Sequence, residues 1–150
     1  MRLNLGSGFR KMNGYINIDN RPETEPDLLC DIEKSGFPAD CADVEEVRAV
    51  DFLEHLNQDK VIKVIEEIWR VLKNNGLFYS RTPSVEGRGA FQDPTHRSFW
   101  CLNSWMYYTN DDYRKLIGTK AKFQGEVQDL ITDSKMRIIH TEATLYAVKG

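Results

Sequence analysis

Residues 3–8 of the chain read Leu-Asn-Leu-Gly-Ser-Gly, and residues 15–19 read Tyr-Ile-Asn-Ile-Asp. The first stretch predicts a short buried strand that runs into a glycine turn, and the second predicts a neighbouring strand that ends in a carboxylate. Glycine lets the backbone approach a ligand closely, while a carboxylate at a strand tip accepts hydrogen bonds from a ribose diol. A Gly-x-Gly tripeptide on its own is weak evidence for a binding site, so the prediction of a nucleoside site depends on the residues that follow.

Composition indicates a single α/β domain of ordinary character. The chain has 150 residues, of which 41% are hydrophobic and 29% charged. No apolar run approaches the ~20 residues of a membrane helix, and the first residues lack the apolar segment of a signal peptide, so we expect a cytoplasmic protein. The net charge of −3 makes nucleic acid an unlikely partner. The cysteines have neither disulfide nor metal-site spacing, so we expect reduced thiols and no metal site. They are Cys30, Cys41 and Cys101.

Short apolar stretches and one strong helical period predict a Rossmann-like, mostly parallel sheet flanked by helices. Apolar residues recur at three- and four-residue steps over 58–73, which predicts a helix with Asn57 as its N-cap. Residues 9–14 are too few for a full crossover helix, so we expect the first one to be trimmed. The other predicted elements are strands at 27–31, 48–52 and 77–81, a helical turn at 44–47, a short helix at 110–118, and an antiparallel C-terminal hairpin at 123–131 and 135–148.

Residues 84–109 differ from the rest of the chain in composition and in hydrophobic pattern. They are rich in aromatic side chains and have no clean period. A connection of this length in a compact domain is typical of a lid or of a substrate-binding segment, which we predict here.

Ligands of an open parallel sheet bind beyond the carboxyl ends of its strands, so the residues that follow each strand are expected to converge. Three successive predicted strands end in aspartate beside the glycine turn, which favours a binding site over isolated loop carboxylates. The predicted cofactor-binding residues are Gly6, Ser7, Gly8, Asp19, Asn20, Asp31, Ile32, Asp51, Phe52 and Leu53.

The same order of motifs resembles the class I S-adenosylmethionine-dependent methyltransferases, in particular the small methyltransferase-11-like group. The resemblance covers about the first 80 residues, and its more specific parts are Leu-Glu-His-Leu at 53–56 and Arg-Val-Leu-Lys-Asn-Asn-Gly at 70–76. It implies S-adenosylmethionine as cofactor, with residues 6–8 around its methionine part. It also implies Asp19 at the ribose, Asp31 with Ile32 at the adenine, and residues 51–53 beside the sulfonium. The amino-terminal helix that covers the cofactor in this family is expected to be trimmed, so a homo-oligomer could supply the cover.

Methyl transfer demands alignment and exclusion of water, and it needs a base only when the acceptor carries a proton, as a hydroxyl does. His55 is the first candidate base; the alternative is that it packs at the head of the following helix. Asp93 to Arg97 read Asp-Pro-Thr-His-Arg, which recurs by resemblance in this group. Asp93 and His96 are thus predicted as an oriented base, Arg97 as a partner for an anionic acceptor, and Trp100 as a stacking residue. The alternative is a loop tied down by its own hydrogen bonds, with the aromatic residues as core.

These motifs predict an enzyme that methylates a small-molecule or glycan-type acceptor. A nicotinamide-dependent oxidoreductase is disfavoured because Lys11 stands where its fingerprint needs a third glycine. Methylation of nucleic-acid bases is disfavoured because Asp51-Phe52-Leu53-Glu54 stands where those enzymes carry a proline-containing motif. The remaining alternative is a catalytically degenerate nucleoside-binding protein that serves as an interaction module.

Overall fold

The computed structural model describes residues 1–150 and is built on a seven-stranded sheet. The strands are β1 (Arg2–Leu5), β2 (Ile16–Asp19), β3 (Leu28–Leu29), β4 (Val44–Val50), β5 (Leu72–Pro83), β6 (Phe123–Asp133) and β7 (Ile138–Ala147). Their order across the sheet is β3-β2-β1-β4-β5-β7-β6.

Strands β1 to β5 are parallel, and only β7 runs in the opposite direction. Leu3 of β1 is opposite Ile16 of β2 on one side and Val47 of β4 on the other. β7 is antiparallel to both β5 and β6, with the turn between β6 and β7 at residues 134–137. The predicted α/β class and C-terminal hairpin are therefore confirmed. The parallel arrangement brings the carboxyl ends of β1, β2, β3 and β4 to one edge of the sheet.

The principal helix covers one face of the sheet. The helices are α1 (Ile32–Ser35), α2 (Val61–Val71), α3 (Gly89–Gln92), α4 (Met106–Thr109) and α5 (Asp111–Ile117). α2 buries Val61, Val64, Ile65, Ile68 and Val71, the periodic positions seen in the sequence. It is shorter than predicted because residues 58–60 form a 3-10 turn and Leu72 already pairs with β4; Asn57 makes no side-chain cap. No helix combines the length and apolar character needed to cross a membrane.

The helical turn predicted at residues 44–47 is wrong, because these residues are the first part of β4. A register shift between Val44 and Glu46 breaks the two-residue alternation of the strand. Val44 and Val47, three residues apart, are consequently both fully buried. The irregular pairing of β4 with β5 thus goes with a spacing that imitates one turn of helix.

Residues 9–14 form no helix, as their number predicts. Two buried asparagines tie this connection to the sheet instead. The side-chain Nδ2 of Asn4 donates to the backbone carbonyl of Arg10 at 3.2 Å. The side-chain Oδ1 of Asn17 accepts from the backbone N–H of Met12 at 2.9 Å. These hydrogen bonds satisfy backbone groups that a helix would have satisfied internally.

The aromatic segment 84–109 contributes largely to the core. Trp100, Trp105 and Tyr108 are buried with the sheet residues. Phe91 and Phe99 instead stack on each other at a ring separation of 5.2 Å and remain exposed. The alternative that most of these aromatic residues are core is therefore the one observed.

Candidate active site

A cavity of about 360 Å³ lies at the carboxyl edge of β1, β2, β3 and β4. It includes residues that follow each of these four strands, which is where a doubly wound sheet binds its ligand. Its lining from β1, β2 and the turn after β2 is Leu5, Gly6, Ile18, Asp19, Asn20 and Arg21. The rest of the lining is Cys30, Asp31, Ile32, Glu33, Asp51, Phe52, His55, Leu56 and Thr95.

The glycine turn is shaped by contact with the ring of Phe52. Gly6 has a φ of +67°, and a Cβ placed on it would lie 2.4 Å from Cδ2 of Phe52. Both the backbone conformation and the space therefore require glycine here. The turn and the Phe52 ring form one wall of the cavity.

Asp19 is buried at the tip of β2 and is already engaged in hydrogen bonds. Its Oδ2 accepts from the Gly8 backbone N–H at 2.8 Å. Its Oδ1 accepts from the Arg21 backbone at 3.0 Å and from Arg21 Nε at 3.2 Å. A carboxylate offers about four acceptor positions, so one remains free. A second becomes free when the exposed Arg21 side chain moves away.

Asp31 lies at the start of α1 rather than at the end of a long third strand. β3 has only two residues, and Asp31 caps α1 by accepting from the Lys34 backbone at 3.3 Å. It also forms an ion pair with Lys34 Nζ at 3.6 Å. Asp31 and Ile32 both line the cavity, as predicted for the adenine end.

Asp51 ends β4 with a strained backbone and a partner from the C-terminal hairpin. Its φ of +52° is in the left-handed region, which non-glycine residues rarely adopt. Its Oδ1 lies 3.2 Å from Nε2 of His140 on β7. This hydrogen bond to His140 lowers the pKa of Asp51, so the carboxylate is held ionised at this end of the cavity.

A short anchored segment, residues 93–98, lies over the 3-10 turn formed by residues 53–55. The backbone N–H groups of Arg97 and Ser98 both donate to the Glu54 carbonyl, at 2.8 and 3.1 Å. The Ser98 hydroxyl donates to the Leu53 carbonyl at 2.7 Å and is fully buried there. These three bonds bring His96 beside His55, with their ring centroids 5.0 Å apart.

Glu54, His55 and His96 form a Glu–His–His cluster beside the cavity. One carboxylate oxygen and one nitrogen of each ring all lie within 4.8 Å of one another. Glu54 is only 2% exposed, and its Oε2 has no hydrogen-bond partner. His96 is largely buried, whereas His55 lines the cavity. Asp93 adds an ion-pair contact, with Oδ2 3.5 Å from Nε2 of His96.

The hydrogen bonds around the two rings decide their tautomers. Nδ1 of His96 faces the Ala90 carbonyl at 3.0 Å, so Nδ1 must carry the proton, because a carbonyl can only accept. The Thr95 hydroxyl donates to Asp93 at 2.7 Å, so its oxygen accepts from Nδ1 of His55 at 3.3 Å. In the neutral rings both Nε2 atoms therefore keep a free lone pair.

Burial controls the charge of the cluster. Removal from water raises the pKa of Glu54 to about 8, with the Asp51 and Asp93 carboxylates contributing. Burial also lowers the pKa of His55, and the neighbouring His96 adds to that effect. Hydrogen bonds from Thr95 hold the pKa of Asp93 low. Both shifts favour the uncharged forms of Glu54 and His55.

Not all predicted site residues line the cavity. Gly8 donates its backbone N–H to Asp19, and Ser7 is buried beneath the turn with its hydroxyl unpartnered. The prediction that Leu53 contacts the cofactor is wrong for its side chain, which is fully buried in the core. The stacking predicted for Trp100 is likewise not found in this cavity: its ring is 3% exposed, and Nε1 donates to Ser98 at 3.0 Å. Short strands point alternate side chains inward, so part of each motif serves packing.

Several residues of the site were missed from the sequence. Glu54 is buried in the site, which no local pattern of the sequence indicates. Arg21 and Thr95 line the cavity, and His140 reaches Asp51 from β7 across the sheet. The pairing of Pro83 with His140 in the β5–β7 ladder brings this histidine to the edge, which only the register reveals.

Residues 13–80 match the family model described as a methyltransferase domain. Over these residues the sequence is similar to methyltransferase domains, which is consistent with a class I S-adenosylmethionine-dependent methyltransferase. The matched residues run from the end of the first connection through β5 and include Asp19, Asp31, Asp51 and Glu54. No curated protein matches the sequence significantly.

Solved structures of methyltransferases share the fold at low sequence identity. A SAM-dependent methyltransferase from Archaeoglobus fulgidus is 12% identical, with a TM-score of 0.68 over 97% of this chain and 85% of that one. One from Methanosarcina mazei is 14% identical, with a TM-score of 0.66 over 99% and 92%. The 1,6-didemethyltoxoflavin-N1-methyltransferase of Burkholderia thailandensis, solved with 1,6-didemethyltoxoflavin and S-adenosylhomocysteine, is 14% identical, with a TM-score of 0.62 over 99% and 71%.

The cavity of this methyltransferase fits its cofactor, S-adenosylmethionine. Carboxylates at Asp19 and Asp31 are acceptors for the hydroxyl and amino donors of adenosine, and Leu5, Ile18 and Phe52 add apolar wall. The ionised carboxylate of Asp51 lies at the end of the cavity nearest His55, where a positive sulfonium would be attracted.

Proposed function

We propose that this methyltransferase transfers the methyl group of S-adenosylmethionine to a hydroxyl of a small-molecule or glycan-type acceptor. The observation that carries the proposal is the single cavity that contains Asp19, Asp31 and Asp51 and borders the Glu–His–His cluster. The cofactor occupies the part with the carboxylates at the ends of β2 and β3, and the acceptor enters at the His55 end.

On the cofactor side, the chain positions the donor. Gly6 and Phe52 shape the wall beside the methionine part, Asp19 accepts from the ribose with Asn20 alongside, and Asp31 with Ile32 meets the adenine. Ser7, Gly8 and Leu53 support these groups from beneath. The cofactor supplies an already activated methyl group, so the chain has to align it and exclude water.

On the acceptor side, His55, His96 and Asp93 are the proposed catalytic groups. The Nε2 atoms of the two histidines activate the acceptor hydroxyl. The Ala90 carbonyl fixes the tautomer of His96, and the Thr95 hydroxyl, which itself donates to Asp93, fixes that of His55. Arg97 is exposed and makes only a long contact of 3.4 Å to Asn57, so its guanidinium is available to an anionic group of the acceptor. The exposed pair of Phe91 and Phe99 offers a stacking surface in the same segment, in the role first predicted for Trp100.

We further propose that residues 1–150 act as one domain with 84–109 as the acceptor-binding segment. The extensive contacts of this segment with the core support that assignment.

Isothermal titration with S-adenosylmethionine and S-adenosylhomocysteine tests the cofactor half of the proposal. Radiolabelled methyl transfer to a panel of saccharides and hydroxylated aromatic compounds tests the acceptor half. Binding of both cofactors with turnover on the panel is expected. Absence of binding at millimolar ligand would refute the proposal, and binding without turnover on any acceptor would favour a degenerate cofactor-binding protein.

A further inference from the structure

We propose that Glu54, His55 and His96 bind a divalent transition-metal ion, which in turn binds the hydroxyl oxygen of the methyl acceptor. The inference rests on the proposed function for the identity of that oxygen, but the ion site itself rests on the cluster alone. Carboxylate oxygen and imidazole nitrogen are the ligand pair that Zn²⁺ and Mn²⁺ share.

The three side chains are close enough to share one ion. Their ligand atoms lie within 4.8 Å of one another, and Nε2 of His55 is 3.9 Å from Oε1 of Glu54. Bonds of about 2.0–2.2 Å in a tetrahedral arrangement separate ligand atoms by about 3.4 Å. Small side-chain rotations therefore suffice to close the site.

Both histidines present the nitrogen that an ion needs. The Ala90 carbonyl holds the proton of His96 on Nδ1, and the Thr95 hydroxyl, itself donating to Asp93, does the same for His55. A carbonyl or a carboxylate-linked group on the far nitrogen is the usual support of a metal-binding histidine, because it fixes both tautomer and ring orientation.

Glu54 is an independent indication that a ligand belongs in the cluster. Its side chain is 2% exposed, and Oε2 has no hydrogen-bond partner in the protein. A buried oxygen without a partner is destabilising, and such groups in folded proteins usually mark an ion, a water or a function. An ion between Glu54 and the two Nε2 atoms satisfies this oxygen.

Three protein ligands leave a coordination position for substrate, as in catalytic metal sites. His55 lines the cavity, so the cluster is accessible from the side where the acceptor enters. The ion lowers the pKa of the bound hydroxyl, whose proton leaves to water. The oxygen then attacks the methyl carbon: the O–CH₃ bond forms as the S⁺–CH₃ bond breaks, and its electron pair stays on sulfur to leave neutral S-adenosylhomocysteine.

Zinc titration of the wild-type protein, followed by ¹H–¹⁵N correlation of the three histidine rings, tests the site without any variant. We expect chelator-treated protein to bind one Zn²⁺, with the Nε2 signals of His55 and His96 shifted and those of His140 unchanged. Unchanged ring signals, or a shift confined to His140 or to Nδ1 atoms, would overturn the site. The wild-type measurement does not depend on whether a variant folds.

Variants test the ligands in a second way. Glu54→Gln keeps the shape of the side chain, and it and His96→Ala are expected to weaken Mn²⁺ binding at least about tenfold by calorimetry. Glu126→Gln, the same change at an exposed glutamate of β6, is the matched control and should bind Mn²⁺ as the wild type does. Equal binding by Glu54→Gln and wild type would contradict the assignment of Glu54 as a ligand.

Different measurements would refute the role of the ion and the proposed methyl transfer. Chelator is expected to abolish turnover, restored by Mn²⁺ or Zn²⁺, while leaving S-adenosylmethionine affinity unchanged. Turnover that persists in chelator would overturn activation of the acceptor by the ion. Loss of S-adenosylmethionine binding in metal-loaded protein would instead refute the proposed function and leave the metal site standing.

Discussion

The carboxylate of Asp19 has a backbone partner and an arginine partner before any ligand binds. It accepts from Gly8 and twice from Arg21. The residue therefore organises the glycine turn as well as offering a remaining acceptor to the ribose. A carboxylate that serves both purposes is sensitive to substitution in both stability and affinity.

Asp19→Ala is expected to weaken S-adenosylmethionine binding by about 1.5–3 kcal/mol, the contribution typical of hydrogen bonds to a charged group. This corresponds to an increase in Kd of about 10- to 150-fold by calorimetry. Asp59 is exposed and does not line the cavity, so Asp59→Ala is the control and should leave the Kd unchanged. An unchanged Kd in Asp19→Ala would remove Asp19 as the ribose ligand.

Gly6→Ala tests the close packing of the glycine turn against Phe52. A left-handed alanine costs about 1–2 kcal/mol by itself. The new Cβ would also lie 2.4 Å from the Phe52 ring, so that ring must move. We expect a loss of stability in urea and weaker S-adenosylmethionine binding.

Gly118→Ala separates the two effects of Gly6→Ala. Gly118 has nearly the same φ, +65°, but no atom lies within 4 Å of a Cβ placed there. This variant should lose only the stability that a left-handed alanine costs, and it should bind S-adenosylmethionine as tightly as the wild type does. Equal losses in both variants would show that contact with Phe52 contributes nothing.

At the scale of elements, the anchored segment 93–98 is what joins the two histidines of the cluster. Its hydrogen bonds end on the 3-10 turn at residues 53–55, so a change in either element moves His55 relative to His96. The segment predicted as a lid is thus held by buried bonds where it meets the site.

Ser98→Ala is expected to destabilise the protein by about 1–3 kcal/mol, because the Leu53 carbonyl and Trp100 Nε1 both lose a buried partner. Turnover should fall further than stability alone accounts for, while S-adenosylmethionine affinity remains. Ser134→Ala, in the exposed turn between β6 and β7, is the control. Wild-type turnover in folded Ser98→Ala would show that the anchor does not position the histidines.

At the scale of the whole molecule, carboxylates that accept hydrogen bonds from other segments make stability depend on pH. Hydrogen bonds from Arg70 lower the pKa of Glu67 below its usual 4.5, and Glu67 also accepts from the Phe37 backbone at 3.0 Å. Across the sheet, the Tyr79 hydroxyl and Gln128 lower the pKa of Glu142. These contacts connect α2 to the loop after α1, and β7 to its two neighbours.

A carboxyl whose pKa is lower in the folded state stabilises that state above its unfolded pKa, and loses the effect as pH falls through the folded pKa. The stabilisation from Glu67 should therefore be constant well above pH 4.5, the usual pKa of glutamate, and be lost progressively as the pH falls below that value. Glu67→Gln should show a smaller fall between pH 5 and pH 3 than the wild type. A pH dependence identical in the two proteins would contradict the contribution of Glu67.

The sequence by itself determined the parallel sheet, the principal helix, the C-terminal hairpin and the carboxylates at the strand ends. These features depend on local periodicity and on turn residues, which a linear chain displays directly. Its one clear error of element type, the helical turn at residues 44–47, falls where the pairing of β4 with β5 is irregular, which no local pattern reveals.

Only the tertiary structure decided which side chains face the cavity and which face the core. Leu53 and Trp100 are in the core, while Glu54 is buried beside His96, 42 positions further along the chain. His140 reaches Asp51 through the register of an antiparallel pair. Burial, register and long-range hydrogen bonds are properties of the folded chain as a whole, so no spacing in the sequence encodes them directly. The arrangement of the Glu–His–His cluster is consequently a product of packing.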